Sequence, residues 1–171
     1  MIPLHKGLVS KHITAGTCER YRCYSTGVPF EVVYQYTASY KYRRGGWTEE
    51  TSRNKDVRWY GERSLFGEHL WTEQLPVYLC EGETDAMRLS QYITYGYCLA
   101  LGGKPATDAL PHIKDTLLRF AGDNPITLCF DADKSGQEYT RQFSKLLGSR
   151  VCFILDLPPG VKDICQLDPD V

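Results

Sequence analysis

Two short stretches carry carboxylates in an order that suits a cation. Val77 to Asp85 is an apolar run that ends in Glu81-Gly82-Glu83-Thr84-Asp85, and Ile126 to Asp133 is another that ends in Asp131-Ala132-Asp133. Alternate residues of an extended tip share a direction, so Asp131 and Asp133 can reach one ion. Asp163 follows Pro158-Pro159-Gly160 and completes the set. Glu83 and Asp85 fall where a helix begins, a place where acids also serve as caps and complement the macrodipole. Converging carboxylates repel one another unless a cation sits between them. Two cations held this way can drive attack on phosphorus, with a 3′-hydroxyl as nucleophile in nucleotidyl transfer or with water in a nuclease. The acids alone do not separate the two reactions.

Such a cluster needs strands that bring both tips to one sheet edge. From Leu75 onward, strand and helix patterns alternate. Strands are predicted over 75–80, 97–101, 126–130 and 150–155, and helices from Glu83 to about Tyr92, from Thr107 to Phe120 and from Ser135 to Leu147. Leu110, Ile113, Leu117 and Phe120 recur at three- and four-residue steps, and Tyr139, Phe143 and Leu146 form a second inward face. This alternation predicts an α/β unit, a four-stranded parallel sheet flanked by helices, with ligands at the carboxyl ends of its strands.

The preceding residues read differently. Thr14 is a candidate N-cap for one or two helical turns up to Tyr21. Alternating runs at Phe30–Tyr36, Ser39–Arg43 and Asp56–Tyr60, with Gly45-Gly46 as a turn, predict a small antiparallel sheet. Leu65–Trp71 reads as a short apolar hinge. The boundary predicted here separates a basic lobe, 1–74, from a metal-binding catalytic domain, 75–171. The first carries 11 Lys/Arg against 8 Asp/Glu and the second 9 against 13. Lys41, Arg43, Arg44, Arg53, Lys55, Arg58 and Arg63 are interleaved with Tyr40, Tyr42, Trp47, Trp59 and Tyr60, and diluted by Glu49, Glu50, Asp56 and Glu62. That mixture suits a solvated sheet face or a groove in which cations follow phosphates and rings stack on bases. Arg43, Arg44, Lys55 and Arg58, with Lys104 and Lys134 beside the later motifs, are the candidate nucleotide or nucleic-acid contacts.

The composition is globular, 42% hydrophobic and 24% charged, with no apolar run long enough to span a membrane. No signal-peptide pattern opens the sequence, so a cytoplasmic protein is expected. Seven cysteines without metal-ligand spacing exclude a zinc knuckle. Cys80, Cys98, Cys129 and Cys152 lie in strand-like runs, as buried thiols would.

Taken together, Glu81-Gly82-Glu83-Thr84-Asp85, Ala100-Leu101-Gly102-Gly103, Asp131-Ala132-Asp133-Lys134-Ser135-Gly136 and Lys162-Asp163 resemble the Toprim family of primases, topoisomerases and some nucleases. Ile13 to Tyr21, the strand Phe30–Tyr36 and the segment Leu65–Trp71 extend the likeness to the RNA-polymerase domain of T7-type phage primase–helicases. The resemblance implies a primase, a DNA-directed RNA polymerase making short RNA primers on single-stranded DNA from ribonucleoside triphosphates. It implies Mg²⁺ or Mn²⁺ as cofactor and no zinc. Glu81, Asp131 and Asp133 would be catalytic metal-site acids, with Asp163 also a ligand, Asp85 and Glu83 in support, and Arg58 a nucleotide or template contact. The zinc module of such primases and the Gly-x-x-x-x-Gly-Lys-[Ser/Thr] loop of their helicase do not occur in this sequence. A separate helicase and a separate zinc-module protein are therefore the expected partners. The alternatives are a Toprim nuclease and a non-catalytic nucleic-acid-binding replisome adaptor.

Overall fold

The computed structural model describes residues 5–47 and 55–167. Glu49, Glu50, Arg53 and the side chain of Cys152 lie outside what is described.

Two four-stranded sheets form the frame. The antiparallel sheet has strands β1 (Cys23–Ser25), β2 (Glu31–Gln35), β3 (Ser39–Arg44) and β4 (Asp56–Gly61), in that order. Two short helices precede it, α1 (Lys6–Val9) and α2 (Ala15–Arg20). The Thr14 hydroxyl accepts from the Thr17 amide at 3.2 Å, so Thr14 is the N-cap its position predicted. The sequence did not suggest α1 or β1, because four and three residues are too short to display a period.

The parallel sheet has strands β5 (Val77–Cys80), β6 (Tyr97–Ala100), β7 (Ile126–Cys129) and β8 (Val151–Ile154), ordered β6-β5-β7-β8. Helices α3 (Glu83–Leu89), α4 (Leu110–Ala121) and α5 (Lys134–Leu147) cross between them. β5 and β7 are neighbours, with Val77 opposite Ile126 and Cys80 opposite Cys129. This register sets the Glu81 and Asp131 tips side by side, as the acid pattern requires.

Each face of the parallel sheet has its own core. Val77, Leu79, Leu99 and Leu128 point toward α4 and α5, where Leu117, Phe120 and Phe143 are fully buried. The other face carries the smaller Cys80, Cys98, Ala100 and Cys129, which leave room for α3 and for aromatic residues of the antiparallel sheet. Tyr21, Tyr34, Tyr36 and Phe66 join Ala86 and Met87 in this second core. Helix α3 is therefore buried along its whole length rather than on one face. It ends at Leu89, short of the expected Tyr92, and Ser90 caps it. The Leu65–Trp71 segment is docked rather than hinge-like. Phe66 is fully buried and exchanges backbone hydrogen bonds of 2.9 and 3.1 Å with Ala100.

Candidate metal and nucleotide site

Glu81 leaves β5 one residue beyond the paired Cys80, and extended Gly82 turns the chain into α3. Asp85 then lies in the first turn of α3. On the neighbouring strand, Asp131 precedes Asp133, the N-cap of α5. The Gly136 amide donates to the Asp133 carboxylate at 3.1 Å. Gly136 must be glycine, because a Cβ there would run into the Asp131 backbone. Asp163 begins a short 3₁₀ turn, Ile164–Gln166, that packs on α3.

The result is a cleft of about 270 Å³ with two differently charged banks. Glu81, Asp85, Asp131 and Asp163, with Lys11 and Lys162 beside them, line one side, and Lys41 and Arg43 of β3 and Lys55 just before β4 line the other. Each bank repels itself. Burial, then Asp131 and Asp133, pushes the Glu81 carboxyl up to about 7. Burial, then Asp131 and Asp163, takes Asp85 to about 7. Burial, then Asp163 and Asp133, takes Asp131 to about 6. On the cationic bank, burial, then Arg43 and Lys41, lowers the Lys55 ammonium. Asp133 differs: burial opposes its charge, but the Gly136 amide and the Lys162 ammonium, 3.3 Å away, hold its carboxyl below the usual range.

Two carboxylate oxygens, Glu81 Oε2 and Asp163 Oδ1, are buried without a hydrogen-bond partner. Such oxygens are costly unless something binds them. With carboxylates as donors and like charges unresolved, the residues present fit a hard divalent cation.

Arg43 stacks over Trp47 at 4.3 Å and donates to the Gly45 and Gly46 carbonyls. Of the candidate cations, Arg43 and Lys55 line the cleft and the remaining four lie outside it. Arg58 pairs with Glu31 at 3.0 Å and Asp56 at 3.3 Å on the sheet's outer side. Arg44, Lys104 and Lys134 are exposed and do not line the cleft.

Several side chains at the site carried no sequence signal or a different one. Lys11, from the turn after α1, lies 3.8 Å from Asp163 across 152 positions of chain. Lys41 reads as one more groove cation, yet it is buried, with its ammonium 2.7 Å from Glu83 and donating to the Gly102 carbonyl at 2.7 Å. The Tyr36 hydroxyl donates to the same carboxylate at 2.5 Å. Cys165 was unremarkable two positions after Asp163. Its sulfur and one oxygen each of Asp85 and Asp163 lie within 4.8 Å of one another.

Comparison with known proteins agrees with this architecture. A profile of the Toprim-like family matches residues 78–167. The primase fragment of the bacteriophage T7 primase-helicase protein superposes with a TM-score of 0.71 at 22% identity, covering 92% of this chain and 66% of the fragment. The Aquifex aeolicus primase, with its zinc-binding and RNA polymerase domains, gives a TM-score of 0.65 at 17% identity over 92% of this chain and 50% of that one. A bacteriophage T7 primase domain, in a complex with the lagging-strand DNA polymerase, an RNA/DNA hybrid and dTTP, gives 0.64 at 20% identity over 92% and 82%. This chain thus spans just under two thirds of the T7 fragment and half of the Aquifex protein. The antiparallel sheet and the parallel sheet both fall within the shared primase fold, and the match over β5 to the Asp163 turn includes every acid of the cleft. The chain belongs to the Toprim-like family.

Proposed function

We propose that this protein is a primase-type nucleotidyltransferase that joins ribonucleotides on a single-stranded DNA template. The observation that carries this reading is the cleft with an acidic and a cationic bank. A nucleoside triphosphate with its divalent cations neutralises both banks at once, which neither a bare metal nor a bare anion does. Glu81, Asp131, Asp85 and Asp163 hold the cations, and Asp133 stays ionised beside them through Gly136 and Lys162. Bound there, Mg²⁺ or Mn²⁺ supplies Lewis acidity for attack of a ribose 3′-hydroxyl on the α-phosphorus and for departure of pyrophosphate. Arg43 and Lys55 orient the triphosphate, and Lys11 and Lys162 flank the acids. Arg44, Arg58, Lys104 and Lys134 extend the cationic surface outward for the template. A helicase and a zinc-module template reader belong to the same reading as partners.

The test is incubation with single-stranded DNA, labelled ribonucleotides and Mg²⁺ or Mn²⁺, with and without helicase and zinc-module partners. Oligoribonucleotides are expected, and Asp131→Ala should abolish them. No product on any template overturns the proposal. Metal-dependent cleavage of the DNA without synthesis would replace it with a nuclease.

A further inference from the structure

Among the described residues, one trio of close metal-donor atoms contains a sulfur. The Cys165 thiol and one oxygen each of Asp85 and Asp163 lie within 4.8 Å of one another. Asp85 is 8% and Cys165 6% exposed. Cys165 sits in the turn Ile164–Gln166, which Ile164, 2% exposed, anchors in the core against α3, and its thiol donates a hydrogen bond to the Asp85 carboxylate, a contact that a bound cation would replace. Asp163 Oδ1 is buried without a partner, while its other oxygen has only the Lys11 ammonium at 3.8 Å. An ion entering from the cleft meets Asp85 and Asp163 directly, because both line it.

We propose that Cys165 gives the metal centre a sulfur ligand, so that Asp85, Asp163 and Cys165 form a position for a thiophilic divalent cation of the zinc and cadmium class, beside the one held by Glu81 and Asp131. This rests on the reading of the cleft acids as metal ligands. An all-oxygen site suits Mg²⁺ or Mn²⁺, whereas thiolate sulfur favours softer ions. On binding, the S–H bond breaks, a sulfur–metal bond forms and the proton leaves to solvent. The incoming charge also displaces Lys11 from Asp163. A zinc-class ion at this position would then change the electrostatics next to Glu81 and Asp131 without occupying their own position.

The test uses the full chain, titrated with Cd²⁺ in the ultraviolet, with Mn²⁺ binding followed in parallel by paramagnetic resonance. Wild type should develop a sulfur-to-cadmium charge-transfer band. The band should be lost in Cys165→Ser, which still binds Mn²⁺, and kept in Cys18→Ser. Should Cys165→Ser not fold, as judged by circular dichroism, Asp163→Asn serves instead and must weaken the band with the thiol intact. A band unchanged by Cys165→Ser, or by Asp163→Asn in its place, overturns the proposal. Mn²⁺ binding by wild type without any cadmium band overturns the sulfur ligand alone. A wild-type chain that binds neither ion overturns the metal reading as well.

Discussion

Glu81 and Glu83 stand two residues apart in one motif, yet they end in opposite surroundings. Glu83 is buried in a latch between the sheets, where Lys41 and Tyr36 satisfy it. Burial works against its charge, but Lys41 and Tyr36 outweigh burial and its carboxyl is held below the usual range. Glu81 is pushed up to about 7 by burial and then by Asp131 and Asp133, and has one oxygen without a partner. A satisfied buried carboxylate holds a structure together, whereas an unsatisfied one waits for a ligand. The same contrast separates Asp133, held by Gly136 and Lys162, from Asp131.

Substitutions should pull the two regions in opposite directions. The largest effect is expected for Asp131→Ala, where primer synthesis should fall at least about a thousandfold, roughly 4 kcal/mol of barrier. The metal-free variant should melt no lower than wild type, because a repulsive carboxylate has gone. A lower melting temperature with synthesis retained would assign Asp131 to the structural class. Lys41→Met should do the reverse. It leaves Glu83 buried and unpaired, a loss of about 3–5 kcal/mol in chemical denaturation. Adding Glu83→Gln should restore part of that loss. An undiminished midpoint in Lys41→Met would mean that the latch is not structural.

A smaller effect is the pH dependence of the metal-free protein. Glu81, Asp85 and Asp131 titrate near 6 to 7 when folded and near 4 when unfolded, so the folded state binds more protons between those values. Their contribution is fully present below about pH 4 and is lost as pH rises to about 7. Thermal melts should therefore show this contribution declining from pH 5 to pH 7.5, and Mg²⁺ should offset the loss at the upper end. A melting temperature that Mg²⁺ does not move at pH 7.5 would argue against a cation between these acids. The smallest effect separates the two sides of the antiparallel sheet. Arg43→Ala should weaken nucleotide binding, measured by fluorescence titration, more than Arg58→Ala. Arg58 is half exposed, and its pairs contribute at most about 1 kcal/mol. Equal losses would bring the outer side of the sheet into nucleotide binding.

Periodicity carried much of the fold. The helical spacing of Leu110, Ile113, Leu117 and Phe120 matches the buried face of α4, although Leu147 rather than Leu146 is the deeper residue at the end of α5. The α3 pattern misled about burial, because the Ile164–Gln166 turn packs on the side that a single-faced helix would leave to water and Arg88 is tied to the His12 and Leu167 carbonyls. The candidate cations were the least legible. Lys41, Arg43 and Lys55 differ little in sequence from Arg44 and Arg58, and only the alternation of strand faces about one turn sorts them.

By itself, the sequence determined the alternating strands and helices, the acid-tipped β5 and β7 and the family, because periodicity and motif spacing are local along the chain. Tertiary structure alone decided which acids remain unsatisfied, which lysine is a latch, and that Lys11 and Cys165 meet Asp163. Those outcomes depend on which charges are brought within a few ångströms of one another after burial, and no local pattern encodes the distance between side chains 152 positions apart.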